Sequence, residues 1–313
     1  MADETGVRIR LLGGLEVTVG DRLVAADAWR LRKAKTLVKL LALARGQRLH
    51  REALVAVLWP DRDVASATNN LHQALYSARR VLGGAPGGLF RLRDDVVLLS
   101  EGTTPWLDMV AFDAACGLAR RTGDPQDYRA AAELYRGDLL SEDRFEDWAI
   151  GLREGLRERH LGLLVDYATV LASRGEHTQV IDLARRIVAA DLFHEGAHRM
   201  LMTALTASGR RYEALAALDR LREALAEEYA ADPEPATRRL YRDLLTAEDA
   251  TPKATAAIDV AAPTRPDPTR SPRRKDASGR SRPPSSVADA NWSRSARRWA
   301  GPDSSPDRPG RRG

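Results

Sequence analysis

Apolar and polar residues alternate along residues 7–11 and again along 15–19, with a glycine pair at positions 13–14 between them. This alternation is typical of strands that bury one face, so we expect a small antiparallel sheet at the start of the chain. A second alternating segment covers 90–99 and is interrupted by Asp94-Asp95. Polar turn residues between two short apolar runs predict a β-hairpin.

Helical spacing of apolar residues replaces this alternation between the sheet and the hairpin. The pattern predicts three helices: one around the apolar positions 34, 37, 40 and 41, one at 51–59 and one at about 65–82. Pro60 ends the second helix, because proline cannot continue the backbone hydrogen bonds. In the third helix, Leu71, Leu75 and Leu82 fall on one face, which we expect to pack against the first two helices.

Residues 106–246 are almost entirely helix-forming and contain an internal repeat. The segments Leu171–Gly175 and Leu205–Gly209 are similar and begin 34 residues apart, and each precedes another helical pattern. A period of this length with a glycine between two helices is typical of tetratricopeptide-type helix pairs. The predicted fold class is therefore mainly α: a winged helix-turn-helix with a small β-sheet and a β-hairpin wing, followed by an all-α tetratricopeptide-like domain.

Composition supports a division into three parts. The predicted boundaries place a winged-helix domain at 1–102, a helical domain at 103–248 and a basic tail at 249–313. The last 63 residues hold 10 of the 16 prolines and few apolar residues, so we expect them to be disordered. The single cysteine, Cys116, excludes disulfide frameworks and cysteine-rich metal sites within one chain. Neither a long apolar run nor a signal-peptide pattern is present, and we expect a cytoplasmic protein without membrane contact.

Charge is strongly segregated along the chain. Residues 1–100 carry 16 Lys/Arg against 10 Asp/Glu, whereas residues 101–250 carry 19 against 28. The tail at 251–313 is again basic, with 14 against 6. A basic block on one compact module is a candidate binding surface for a polyanion such as nucleic acid.

The third predicted helix carries polar tips that suit the major groove of DNA. Its candidate base-reading residues are Asn69, Asn70, His72, Gln73, Tyr76, Arg79 and Arg80. Asn and Gln can bond adenine edges, and Arg can bond guanine. The hairpin would project Arg91 and Arg93 toward phosphate or the minor groove, and the first helix would add Arg32 and Lys33. We expect Arg79 and Arg80 to contribute more than Lys39 to specific binding. The same polar residues would also suit an ordinary solvated helix face, so the pattern alone leaves both interpretations open.

One motif in the helical part suggests an enzyme. Residues His194-Glu195-Gly196-Ala197-His198 form a literal H-E-x-x-H, which on a helix can hold zinc with the glutamate as a base. Gly196 weakens such a helix, and no downstream signature marks a third ligand. The favoured interpretation is the start of a helix in a repeat pair. We therefore predict no enzymatic activity, no metal site and no cofactor.

Several motifs resemble the actinobacterial antibiotic-regulatory activator family. In the basic part they are residues 7–17, 31–35, 54–60, 69–75 and 78–83, and in the helical part 135–140, 146–148 and 194–202. The resemblance implies an OmpR-like winged helix followed by a bacterial transcriptional activation domain. It also implies a sequence-specific activator of secondary-metabolism genes that binds promoter direct repeats of double-stranded DNA as a homodimer and contacts RNA polymerase.

A second functional class stays open. The helical repeats would also suit a protein–protein scaffold without specific DNA binding. A small-molecule pocket in the helical part that tunes DNA binding is a third possibility.

Overall fold

A computed structural model describes residues 6–83, 89–99 and 104–246. Across these ranges the chain forms seven strands and ten α-helices, so the predicted mainly α fold class is confirmed. The strands are β1 (Val7–Arg10), β2 (Glu16–Val19), β3 (Arg22–Leu23), β4 (Arg48–His50), β5 (Arg91–Arg93), β6 (Val96–Leu98) and β7 (Trp106–Leu107). The helices are α1 (Arg32–Leu43), α2 (Arg51–Leu58), α3 (Val64–Val81), α4 (Asp108–Thr122), α5 (Pro125–Leu134), α6 (Asp147–Ser173), α7 (His177–Ala190), α8 (Glu195–Ala207), α9 (Arg211–Tyr229) and α10 (Pro235–Thr246). The predicted tail at 249–313 lies outside the described residues.

The first sheet has the strand order β3-β2-β1-β7. Strands β1 and β2 are antiparallel, with Val7 opposite Val19, and their alternate residues Val7 and Ile9 are buried as the pattern predicts. Strand β7 was not expected: it pairs with β1 in parallel, with Ile9 opposite Leu107. The sheet is therefore completed by residues that follow the whole winged helix in the chain.

Helices α1, α2 and α3 pack on one another, and the hairpin β5–β6 follows them in the chain. Helix α3 begins where the Asp63 carboxylate accepts the backbone N–H of Ser66 at 2.9 Å, a typical N-cap. Its inner face buries Leu71 and Leu75. The hairpin turns at Asp94 and Asp95, both with positive φ, as two-residue hairpin turns require. Strand β4 adds a third strand, in the order β4-β6-β5.

The helical domain is a row of helices in which each packs on the next from α4 to α9. The predicted repeat is present: Gly175 and Gly209 adopt left-handed φ values of +76° and +73° and separate α6 from α7 and α8 from α9. Glycine takes this conformation without the steric cost that a side chain adds, so the two equivalent turns keep the helix pairs equivalent. Helix α10 packs across α8 and α9.

Backbone hydrogen bonds join the winged helix to the helical domain. The buried Asp108 carboxylate at the start of α4 accepts the backbone N–H groups of Leu11 and Leu12, each at 2.9 Å. Burial raises the pKa of Asp108, although the three N–H donors of Leu11, Leu12 and Met109 act in the opposite direction. The N–H of Leu140 also bonds the carbonyl of Leu11 at 2.8 Å. The two parts therefore share one continuous core.

Candidate nucleic-acid interface

The outer face of α3 presents a line of polar side chains. Asn69, Gln73, Tyr76 and Arg80 follow one another at spacings of four, three and four residues, which places them on one face of a helix. All four are exposed, and Tyr76 has 68% of its surface accessible. The buried residues Leu71 and Leu75 lie on the opposite face, so packing fixes which side chains point outward.

The other three candidates on α3 flank this line. His72 and Arg79 are exposed on one side, and Asn70 is half-buried on the other. The guanidinium of Arg79 donates to the backbone carbonyl of Phe90 at 3.2 Å, just before β5. Arg79 therefore positions the hairpin against α3, a contact that the sequence pattern did not indicate.

The hairpin carries Arg91 and Arg93 on its outer strand β5. Both are exposed, and because they are two residues apart in a strand they lie on the same face. The Arg93 guanidinium lies 3.6 Å from the carboxylate of Asp94 in the turn. On the other side of β6, strand β4 holds the hairpin through its pairing with residues 96–98.

Arg32 and Lys33 occupy the first turn of α1 and are exposed. Cations are unfavourable at this end of a helix, because the N-terminal N–H groups carry positive partial charge. The local structure therefore does not stabilise two basic residues at this end of α1. In the described part of the chain no ion pair or hydrogen bond connects their side chains to α3, although α1 itself packs on α3.

A further arginine, Arg22 on β3, fixes the far end of α3. Its guanidinium donates to the carbonyl oxygens of Val81 and Gly83, both at 3.1 Å. A cation at the C-terminus of a helix compensates the carbonyl groups that lack helical partners. The sequence analysis did not select Arg22, because this contact joins residues about 60 positions apart.

Lys39 does not belong to the exposed basic surface. Its side chain is 3% accessible, and the ammonium group pairs with Asp143 and, at 2.9 Å, with Glu142 of the helical domain. Burial alone would raise the pKa of Glu142, but the hydrogen bonds from Lys39 and from the backbone N–H of Leu15 hold that pKa at about 2. Lys39 is therefore a junction residue and a poor comparison for base-reading side chains.

The H-E-x-x-H motif serves the packing of α8. The His194 side chain caps the helix by accepting the N–H of Ala197 at 3.0 Å, and buried His198 pairs with the carbonyl of Leu192 at 3.0 Å. Glu195 accepts the backbone N–H of Glu234 and the hydroxyl of Thr237, which ties α10 to α8. Over the described residues no group of three or more His, Cys, Asp or Glu side chains is arranged to hold a metal ion.

Cys116 is a buried thiol in α4, and burial raises its pKa to about 11, well away from a reactive thiolate. Among the described helices, none has an apolar stretch long enough to cross a bilayer.

Comparison with known proteins finds a family match for the helical domain and relatives for most of the chain. Residues 107–245 match the family described as the bacterial transcriptional activator domain. The regulatory protein DnrI of Streptomyces peucetius is 28% identical over 250 residues, which cover 74% of this chain and 91% of DnrI. The regulatory protein AfsR of Streptomyces coelicolor is 28% identical over 229 residues, which cover 71% of this chain but only 23% of AfsR.

A solved structure has the same fold. Mycobacterium tuberculosis EmbR, determined in complex with a low-affinity phosphopeptide, superposes with a TM-score of 0.65 at 22% identity. The match covers 78% of this chain and 66% of the EmbR chain. The shared winged-helix and helical architecture confirms the predicted order of the two parts.

Proposed function

Because this chain is a member of the actinobacterial antibiotic-regulatory activator family and a transcriptional regulator rather than an enzyme, we propose that it binds promoter DNA through α3 and the β5–β6 hairpin. The observation that carries the proposal is the exposed line Asn69, Gln73, Tyr76 and Arg80 on a helix whose opposite face is buried. A helix of this kind fits the major groove of B-DNA, where each base pair presents a distinct set of donors and acceptors.

Each side chain of the line has a chemical role in this proposal. Asn69 and Gln73 present amide groups that can pair with the N6 and N7 atoms of adenine. Arg80 presents a guanidinium that can bond guanine O6 and N7, and Tyr76 offers an aromatic edge and a hydroxyl. Arg79, which already holds Phe90, would orient the hairpin and approach phosphate, and His72 would lie beside it.

The hairpin arginines supply affinity without sequence information. Arg91 and Arg93 on one strand face would meet the phosphate backbone next to the groove that α3 occupies. Arg32 and Lys33 would add two further phosphate contacts from the α1 N-terminus. With these four contacts, affinity should fall by roughly 10² between about 50 and 200 mM salt, because bound counterions are released.

The helical domain would stay off the duplex. Residues 101–250 carry 28 acidic against 19 basic side chains, so phosphates repel most of its surface. We assign to it contacts with RNA polymerase and with a second copy of the chain bound at an adjacent direct repeat. Two weak sites on one duplex then act as one strong site through effective concentration. Such a role places the protein in the cytoplasm, at biosynthetic gene promoters.

The test compares Arg80→Ala with Arg121→Ala in the full chain. Both arginines are exposed, but Arg121 lies on α4 of the acidic domain, so it controls for the loss of one charge. The probe is a duplex that the wild-type chain selects from a random pool, measured by fluorescence anisotropy beside an unselected duplex of the same length. We expect Arg80→Ala to weaken binding to the selected duplex by about 10- to 100-fold, and to the unselected duplex far less.

Two results would overturn the proposal. Equal losses on both duplexes would remove base reading from α3. Failure of the wild-type chain to enrich any sequence above 150 mM salt would favour the second candidate, a helical-repeat scaffold that uses the winged helix as a protein contact.

A further inference from the structure

A cleft between α9 and α10 concentrates positive charge within the otherwise acidic helical domain. Four arginines line it, Arg222 from α9 and Arg238, Arg239 and Arg242 from α10, with Asp232 as the acidic member. The lining therefore carries an excess of three positive charges. The cleft has a volume of about 460 Å³, within the range of about 300–1,000 Å³ that small-molecule sites occupy.

The arginines are only weakly neutralised by protein carboxylates. Arg238 lies 3.9 Å from Asp232, and Arg222 lies 4.0 Å from Asp219, both at the limit of ion-pair distance. The guanidinium groups of Arg239 and Arg242 have no carboxylate partner within the described residues, and both side chains are exposed. A guanidinium presents planar paired donors that match phosphate oxygens, so this group is suited to an anion from solution.

Apolar and aromatic residues also line the cleft. The buried Leu218 on α9 and Pro233 in the preceding turn lie beside the half-buried ring of Tyr241 on α10. An aromatic face next to arginines suits a ligand that has a flat ring as well as its charge.

We propose that this cleft binds a phosphorylated small molecule with an aromatic ring, of the nucleoside diphosphate class. The phosphates would bond Arg239 and Arg242, and the ring would lie against Tyr241. A small ligand is favoured over a DNA duplex, because exposed acidic residues of α9, Glu223 and Glu227 among them, would repel a long phosphate backbone. The assignment does not depend on DNA binding by α3.

Calorimetric titration of the full chain with ADP, in the absence of divalent metal, tests the site. Pyrophosphate and adenosine serve as probes for the charged and the aromatic part. We expect saturable binding of ADP, weaker binding of pyrophosphate and none of adenosine. Arg239→Gln and Arg242→Gln should each weaken ADP binding about tenfold or more, because each removes a charged hydrogen bond. Arg121→Gln on α4 is the matched control and should bind ADP like the wild type.

Three outcomes would overturn the proposal. The first is a titration with millimolar ADP that shows no heat of binding, although the circular dichroism of the chain is native. The second is binding that survives both cleft substitutions. The third is the absence of ADP binding together with weaker binding of duplex DNA by Arg239→Gln. That result would make these arginines a contact to nucleic acid.

Discussion

The ammonium group of Lys39 is almost withdrawn from solvent and is surrounded by the carboxylates of Glu142 and Asp143. A buried charge is tolerated only when partners replace its hydration, so these acids hold α1 against the helical domain. In the sequence Lys39 is a basic residue in the same helix as Arg32 and Lys33, and the residues around it do not set it apart from them. Only the distant acids, more than 100 positions away, distinguish it, and no local pattern reveals them.

Replacement of this lysine by an apolar side chain tests the junction. Lys39→Met should lower the free energy of unfolding by about 3 kcal/mol, because two carboxylates lose the cation between them. Lys33→Met on the exposed first turn of α1 should change it by less than about 0.5 kcal/mol. Urea denaturation followed by circular dichroism measures both. Equal stabilities of the two variants would contradict a structural role for Lys39.

The acidic partner Glu142 should make stability depend on pH. Its folded-state pKa of about 2 lies below the ordinary value of 4.5, so its stabilising contribution is complete above pH 4.5 and is lost as pH falls toward 2. We expect the stability difference between the wild type and Glu142→Gln to be largest at neutral pH and to shrink through this window. A difference that grows on acidification would have the wrong sign and would rule out the ion pair. Denaturant titrations at a series of pH values give the comparison.

At the scale of elements, local signals locate most boundaries. The predicted third helix, 65–82, differs by one residue at each end from α3, because its apolar face marks it in the sequence. The repeat turns at Gly175 and Gly209 were identified by the same kind of signal. Strand β7 has no comparable signal in the sequence. It pairs with β1 in parallel, and such pairing requires neither a tight turn nor a partner strand nearby in the chain. The candidate α3 face could therefore be predicted, whereas the contacts from Arg22 and Arg79 that hold it could not. The assignment of its side chains to bases stays a prediction.

Helix α10 is attached to α8 by hydrogen bonds from the side chains of Glu195 and Arg199, and Glu195 makes this attachment easy to test. Glu195→Ala removes the acceptor for Glu234 N–H and for the Thr237 hydroxyl, so α10 should detach more often. We expect amide hydrogens of 235–246 to exchange at least about tenfold faster, corresponding to a loss of about 1.5 kcal/mol. Glu154→Ala, at an exposed position of α6, is the control. Unchanged exchange in α10 would mean that its apolar contacts and the hydrogen bonds from Arg199 and Arg211 hold it without Glu195.

At the scale of the whole molecule, Asp108 joins two parts that the sequence pattern separates. The predicted boundary at 102/103 precedes β7, which pairs with β1, and Asp108, which binds Leu11 and Leu12. We therefore propose that the winged helix and the helical domain unfold as one cooperative unit.

Asp108→Asn tests this unit. The amide has one acceptor oxygen where the carboxylate has two, so at least one buried N–H of residues 11, 12 and 109 loses its partner. We expect a loss of about 1–3 kcal/mol, with tryptophan fluorescence and helical circular dichroism still changing together on denaturation. Two separate transitions in the wild type would show that the parts unfold independently.

The parallel pairing of β1 with β7 has a consequence for synthesis on the ribosome. Domains generally fold as units from the N-terminus during translation. Here, however, β1 can complete its pairing only after β7 has been synthesised, about a hundred residues later. Nascent chains that stop before Leu107 lack the edge of the first sheet, so a prematurely terminated product would be left with an incomplete winged helix. If the proposed function holds, only chains that have also begun to make the helical domain would then bind promoters.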